Sequence, residues 1–251
     1  MIDTHSHIDF EEYQERFDDF LENLKNHEVE KVIIPGVEPS TFGRILSLCN
    51  KYDMLYGAVG VHPSEFKSWT DDTEKEIYNL LNEKKIVAIG EIGLDYHFEP
   101  ETKNEQIELL ERQLEIAQKT KSPVLIHDRE AHDDCFNIIK KYDLKDVVFH
   151  CFSGDKEFAK KCIDEGFYIA IGGVVTFKNA KDLKEAAKIV PVDRLLLETD
   201  APYLAPVPFR GKLNSPEYLI YIAQEIANLK NISVDEIKEV TTNNAKRIFN
   251  F

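Results

Sequence analysis

Short apolar runs and longer amphipathic segments alternate along the chain about eight times, the rhythm of a strand followed by a helix. The apolar runs are MIDTH at the start, KVIIPG (31 to 36), MLYGAVGVH (54 to 62), KIVAIGEIG (85 to 93), PVLIH (123 to 127), DVVFHCF (146 to 152), YIAIGGVV (168 to 175) and RLLLETD (194 to 200). Between them, EEYQERFDDFLENLKNHE predicts one helix and NEQIELLERQLEIAQKTK another, the latter with Ile107, Leu110, Leu114 and Ala117 at the spacing of one helical face. Runs this uniformly apolar belong to strands buried on both sides, as in a parallel sheet covered by helices. Eight such units in about 200 residues suit a closed (β/α)8 TIM barrel, the α/β fold expected here. An open doubly wound sheet shares the alternation, but neither GxGxxG nor GxxxxGK[ST] follows the first strand, which weighs against a nucleotide-binding open sheet. From Ser233 onward an additional C-terminal helix is predicted, with Ser233 as N-cap and Glu236 completing a capping box. No repeat, low-complexity stretch or linker interrupts the pattern, so one domain over residues 1–251 is expected.

Charge narrows the function. The 46 acidic and 31 basic residues leave a formal charge of −15, unsuited to a protein held on phosphate backbones or anionic lipid by bulk attraction. Any contact with nucleic acid must then be local. Four cysteines (Cys49, Cys135, Cys151, Cys162) form no CxxC pair and lie in or beside apolar segments, which predicts reduced thiols and a cytoplasmic protein. No apolar run approaches the roughly 20 residues of a membrane helix and no leader pattern opens the chain, so no membrane partner is expected.

The residues that end the strands carry the candidate chemistry. Strand 1 runs into DTHSHID, where His5 and His7 are two apart; in a strand both would point to one face. Alone, such a pair also fits a surface edge strand or a frayed terminus. Strand 3 ends in His62, strand 4 in Glu91, strand 5 in His127, strand 6 in His150 and strand 8 in Asp200. Each of these, taken singly, also fits a hydrogen-bonded edge of the core. In a parallel barrel, however, all C-terminal strand ends open on one face, so residues spread over roughly 200 positions converge on one mouth. Imidazoles and carboxylates are the donors accepted by zinc, manganese and similar divalent ions, and this many exceed the needs of one tetrahedral ion. Two ions sharing a bridging group fit better.

The ordered set DTHSHID, GVHP (60 to 63), GEIGLDY (90 to 96), PVLIHDREA (123 to 131), HCFSG (150 to 154), GGVVTF (172 to 177), LLLETDAPYLAP (195 to 206), RGK (210 to 212) and TTNNAKRIF (241 to 249) resembles the TatD family of metal-dependent deoxyribonucleases, within the amidohydrolase-like group of barrels. The resemblance spans nearly the whole chain. It implies that His5 and His7 hold a first metal, that His127 and His150 hold a second, and that Glu91 bridges the two. Asp200 would complete the first and contact the nucleophilic water. Two divalent metal ions (Zn, Mn, Mg or Ni) are the implied cofactors, and with Glu91 on strand 4 no carboxylated lysine is needed as the bridge. Two such cations activate a water and clamp the attacking and leaving oxygens of an ester. The implied reaction is in-line attack on phosphorus, with Asp200 and Glu91 as catalytic residues and Asp200 accepting the proton.

Candidate substrate-binding groups are His62, Arg129 and Arg210, with Lys212 a weaker one. His62 has no partner in the metal set, and Pro63 after it favours an extended turn. Arg129 offers a fork suited to phosphate, although pairing with a nearby acid also fits. Arg210 lies in a loop containing Pro202, Pro206, Pro208 and Pro216. Asp3 and Asp9 flank the first histidines, either orienting the imidazoles or serving as caps or surface acids. Phe152, Tyr96 and Tyr203 either stack bases or pack above the barrel, and the acidic runs EEYQERFDDF and TDDTEKE read as solvated helix faces. One departure stands out: after RGK the family commonly continues with a basic residue and Asn-Glu-Pro, whereas this chain has Leu213, Asn214, Ser215 and Pro216.

The expected function is a metal-dependent phosphodiesterase acting on nucleic acid, a DNase of the 3'-end exonuclease kind working as a monomer on single-stranded ends. An acidic surface suits a pocket for one strand end better than a groove for duplex. The alternative is a metal-dependent hydrolase of a carboxylic ester, amide or lactone, such as an aminoacyl-tRNA ester. A third possibility is a non-catalytic barrel that serves as a scaffold.

Overall fold

The computed structural model covers residues 1–251 and brings eight parallel strands around a barrel. The strands β1 (Ile2–Asp3), β2 (Lys31–Pro35), β3 (Leu55–Val59), β4 (Ile86–Asp95), β5 (Val124–Arg129), β6 (Val147–Phe149), β7 (Tyr168–Ile171) and β8 (Leu195–Leu197) pair in chain order. Each begins inside one of the apolar runs. Single hydrogen bonds join β8 to β1: the Thr4 N–H donates to the Leu197 carbonyl (3.1 Å), the Asp200 N–H to the His5 carbonyl (2.9 Å) and the His7 N–H to the Ala201 carbonyl (2.7 Å). Asp3 fastens this seam. Its buried carboxylate accepts from the Thr199 N–H (2.9 Å) and the Thr199 hydroxyl (2.5 Å), so it ties strand ends together and does not orient an imidazole.

Helices α1 (Glu11–Gln14), α2 (Phe17–Asn26), α3 (Pro39–Lys51), α4 (Asp71–Leu80), α5 (Lys103–Thr120), α6 (His132–Ile139), α7 (Lys156–Asp164), α8 (Lys181–Ile189), α9 (Leu219–Lys230) and α10 (Val234–Phe249) make up the outer layer. The first predicted helix is in fact two. Glu15 is extended and Arg16 adopts φ 58°, which breaks the run between α1 and α2. The break lets Tyr13 turn toward the barrel mouth, where its hydroxyl donates to the Asn214 carbonyl (2.6 Å), while Phe17 packs against Tyr52. Periodicity alone does not register such a long-range bond. None of the helices is long and apolar enough to cross a membrane, and all four cysteines are free thiols.

Side chains alternate across the barrel wall, as they must in a pleated strand. Ile33, Ala58, Ala88, Leu125, Val148 and Leu196 pack together in the interior. Their neighbours Ile34, Val59, Ile89 and Leu197 join the larger core beneath the helices. Ala245, Ile248 and Phe249 of α10 belong to the interior cluster, so the additional C-terminal helix seals the N-terminal end of the barrel. The Asn244 amide fixes it there by donating to the Val192 and Leu195 carbonyls, both at 2.8 Å. Ser233 caps it through the Glu236 N–H (3.1 Å), one half of the expected capping box.

The opposite end is held by side-chain amides. Asn214, fully buried, donates to the Thr199 carbonyl (2.8 Å) and the Tyr203 carbonyl (2.6 Å) and accepts from the Ser215 N–H (2.8 Å). It thereby fixes the turn after β8, whereas its neighbour Leu213 is exposed. Removing the amide leaves the buried Thr199 carbonyl unpaired and frees the Tyr203 carbonyl at the rim. Asn214→Ala is expected to cost about 3 kcal/mol, a fall of roughly 6 to 12 °C in Tm, while Leu213→Lys stays within about 0.5 kcal/mol of the parent. Calorimetry on the two variants checks the contrast, and equal Tm values would remove Asn214 from this role.

Candidate metal centre

Inward-facing positions recur every second residue, and four of the expected site residues follow that phase. His62 continues from Ala58, His127 from Leu125, His150 from Val148 and Asp200 from Leu196, so strand geometry aims them into the mouth. The other three do not. Counting from Ala88, Glu91 would lie on the outer face, but the β4–β5 register shifts between Ile89 and Ile92 and the phase is reversed. Glu91 therefore sits inside β4, which runs on to Asp95, and does not end the strand as expected. His5 and His7 are likewise out of phase with Ile2. Strand β1 stops at Asp3, and the irregular backbone beyond it carries both imidazoles inward.

Close approach of β4 and β5 depends on a glycine. Gly93 faces His127 in the ladder with φ 152°, and a Cβ there would lie 1.9 Å from the His127 carbonyl oxygen. Asp200 (φ 56°) and Cys151 (φ 42°) also hold left-handed backbone at the mouth, a conformation that non-glycine residues keep only where surroundings impose it.

The other six side chains gather around Glu91, whose two carboxylate oxygens face different neighbours. Oε2 lies 3.3 Å from His5 Nε2 and 3.7 Å from His7 Nε2, and both imidazoles reach Asp200 Oδ1 at 3.8 and 3.7 Å. Oε1 accepts from His127 Nδ1 (2.6 Å) and His150 Nε2 (2.7 Å), with His62 Nε2 at 3.7 Å. His5 and His150 lie flat on each other at 3.8 Å between ring centroids.

Electrostatics follow from burial and from this convergence. Burial pushes the Glu91 carboxyl up, but the His150 and His5 imidazoles, with hydrogen bonds from His127 and His150, outweigh it and hold the group well below the usual carboxylate range. Burial lowers His5 to about 4 with help from His150, His7 to about 3 with help from His5, and His62 to about 3 with help from His127. Burial also opposes the charged forms of His127 and His150. Hydrogen bonds from His127 to Asp95 and Glu91 nevertheless raise it, and Glu91 and Glu198 raise His150. Asp200 is raised by burial to about 7.

These residues fit a divalent cation. His5, His7 and Asp200 place three ligand atoms within 4.8 Å of one another, and so do His62, Glu91 and His127, and His5, His150 and Glu198. Both nitrogens of His5 and Nδ1 of His7 are buried without a hydrogen-bond partner. A buried polar atom left unpaired is costly, and an imidazole held neutral is the ligand form of histidine.

Two acids at the site escaped the sequence reading. Asp95 lies four residues beyond Glu91 on the same strand face, and Glu198 lies two before Asp200. Strand period was the signal that would have found both. Two glutamines on α5 were also missed, although Gln106 and Gln113 interrupt its apolar face seven residues apart. Gln106 pairs with both peptide groups of Asp95 (2.8 and 2.9 Å), and Gln113 does the same to Val61 (2.8 and 3.0 Å), the residue before His62.

The expected substrate groups divide. His62 is at the centre; its Nδ1 accepts from the Ser64 N–H (3.1 Å), which leaves Nε2 to present a proton or bind a cation. Arg129 is at the rim and stacks on Phe98 (4.6 Å) without an acidic partner, and Arg210 stacks on Phe177 (4.5 Å) in the same way. Lys212 lies near Phe209 (5.8 Å). Among the aromatics, Phe152 is buried against Phe158 and Tyr96 donates to Asp134 (3.0 Å). Tyr203 alone of the three remains open, 54% exposed and 6.3 Å from the His7 ring. Asp9 is buried with one oxygen unpaired and makes no hydrogen bond to either imidazole.

Gly93→Ala is expected to drive β4 and β5 apart, costing about 3 kcal/mol or more. Gly43 of α3 has nothing within 4 Å of an added Cβ, so Gly43→Ala should gain about 0.5 to 1 kcal/mol. Thermal melts of the two variants should move in opposite directions; a Gly93→Ala protein as stable as the parent would contradict the close contact.

Comparison with known proteins shows the family and the fold. The family model described as TatD related DNase matches residues 2–250. An uncharacterized metal-dependent hydrolase of Bacillus subtilis, YabD, is 41% identical over 251 residues, covering 99% of this chain and 98% of that protein. YcfH of Escherichia coli, described in the same words, is 38% identical over 254 residues, covering 99% of this chain and 95% of that protein. The crystal structure of YjjV, a TatD homologue from Escherichia coli, superposes with a TM-score of 0.95 at 33% identity, covering 100% of this chain and 98% of that one. The chain belongs to the TatD family of metal-dependent hydrolases.

Proposed function

We propose that this protein hydrolyses phosphodiester bonds at the ends of single-stranded nucleic acid, using two divalent cations. The observation that carries the proposal is the division of Glu91, with Oε2 toward His5 and His7 and Oε1 toward His127 and His150. In this reading His5, His7 and Asp200 hold one cation, His127 and His150 the other, and Glu91 bridges them. An imidazole-rich donor set favours zinc or nickel over magnesium. Bound there, such ions would lower the pKa of water and neutralise charge on the phosphoryl oxygens.

The chain supplies the rest. Asp200 serves as the proton acceptor; burial raises its carboxyl to about 7 in the metal-free protein, a bound cation would lower it again, and its advantage is hydrogen-bond reach to the attacking water. His62 directs Nε2 at the same space. Arg129 and Arg210 offer cations to phosphate at the rim, and exposed Tyr203 offers a face to a base. A formal charge of −15 supports a pocket for one strand end, since wrapping duplex requires a basic stripe. The DNase description of the family model supports DNA as the substrate.

An end-labelled single-stranded oligonucleotide incubated with manganese or magnesium should be shortened, and Asp200→Asn should lower kcat by about a thousandfold. Equal rates for the two proteins, or no cleavage with any of several metals, would overturn the proposal. Hydrolysis of aminoacyl esters or lactones with the oligonucleotide left intact would reassign the chemistry to carbonyl carbon.

Metal loading should depend on pH. Without metal, His127 and His150 hold protons on the nitrogens that face Glu91, because their pKa values are raised. A cation must displace those protons, so below the two raised pKa values apparent affinity rises with pH, by about tenfold per unit for each proton released, and levels off above them. Calorimetric titration in buffers of different ionisation enthalpy measures the protons released. A pH-independent affinity would contradict ligation through these nitrogens.

A further inference from the structure

The six residues assigned to the cations bring two negative charges, from Glu91 and Asp200, against the four positive charges of two divalent ions. A buried centre left at that imbalance is costly. Two more carboxylates lie behind the imidazoles. Asp95 Oδ2 is 3.2 Å from His127 Nε2, on the side opposite the Nδ1 that faces Glu91. Glu198, fully buried, places Oε1 3.7 Å from His150 Nδ1, opposite the Nε2 that faces Glu91. The Oε2 of Glu198 and the Nδ1 of both His150 and the stacked His5 have no hydrogen-bond partner.

We infer that Asp95 and Glu198 are positioning residues of the centre: each accepts the N–H of a ligating imidazole on the side away from the cation, and together they bring the loaded centre to electrical neutrality. The inference rests on the two-cation reading above. Each acid is itself fixed in place, as such a task requires. Asp95 Oδ1 accepts from the His97 N–H (2.9 Å) and the Phe98 N–H (3.3 Å), while Gln106 clamps its peptide. Glu198 accepts from the N–H of Cys151, the residue after His150, whose left-handed backbone (φ 42°) aims that N–H at the carboxylate. One acid thus backs each of the two imidazoles assigned to the cation on the Oε1 side of Glu91, His127 and His150. His7, on the other side, has no such acid, and its Nδ1 is unpartnered.

Cobalt(II) titration of the metal-free protein, followed by visible d–d absorption and calorimetry, tests this. Wild type should take up two equivalents. Asp95→Asn and Glu198→Gln should each weaken one equivalent by about 10- to 100-fold with a changed absorption envelope, while circular dichroism stays that of the parent. Asp95→Glu and Glu198→Asp keep the charge and should restore most of the lost affinity, which a merely structural role would not produce. Two equivalents bound by both neutral variants with wild-type affinity and spectrum would overturn the inference. So would charge-keeping variants as weak as the neutral ones. Fewer than two equivalents in the wild type would instead remove the two-cation reading itself.

Discussion

Burial of the Glu91 carboxylate is the constraint around which this molecule is arranged. A lone ionised carboxylate at that depth is far costlier than a whole domain's net stability can offset. It persists because positive or polarisable groups face both of its oxygens. Without metal, the protons on His127 and His150 provide that charge at one oxygen. At the other, His5 and His7 are held neutral by burial, with ring nitrogens that nothing in the protein satisfies. A site so short of positive charge is prepared to take up cations.

Holding these groups together falls to the two ends of the barrel, which are built differently. At the N-terminal end, α10 inserts apolar side chains into the interior and closes it, a packing solution that tolerates variation so long as volume is kept. At the mouth, the work is done by directional bonds. Asp3 clasps the seam, Asn214 ties the turn after β8, and the Gln106 and Gln113 amides pair with backbone as a neighbouring strand would. Such bonds fix position more narrowly than apolar contact does, which a cluster of ligands needs.

The mouth also carries the chain's exposed large apolar residues: Phe98 after β4, and Tyr203, Leu204, Val207 and Leu213 after β8. Their place beside the centre sets what an approaching substrate meets. The departure from the family pattern at Leu213 and Ser215 falls in this rim. Asn214 keeps the anchoring bonds, exposed Leu213 alters the face shown to solvent, and Ser215 is buried beneath it with its hydroxyl unpartnered.

Most of the architecture was legible in the chain. Uniform apolar runs predict buried parallel strands, and their alternation with amphipathic segments predicts helices outside, because both patterns reflect local periodicity against a single core. Strand ends then identify the mouth, and His62, His127, His150 and Asp200 follow from it by counting in twos. The same count would have exposed Glu198. Tertiary structure alone decided the rest. Strict alternation turns His5, His7 and Glu91 outward; they reach the centre only because β1 stops at Asp3 and β4 shifts register beside Gly93. Arg16 breaks a helix for the sake of a bond between Tyr13 and a loop some 200 residues away. Periodicity is a property of neighbouring residues, whereas these irregularities are stabilised by partners distant in sequence, so no local pattern records them.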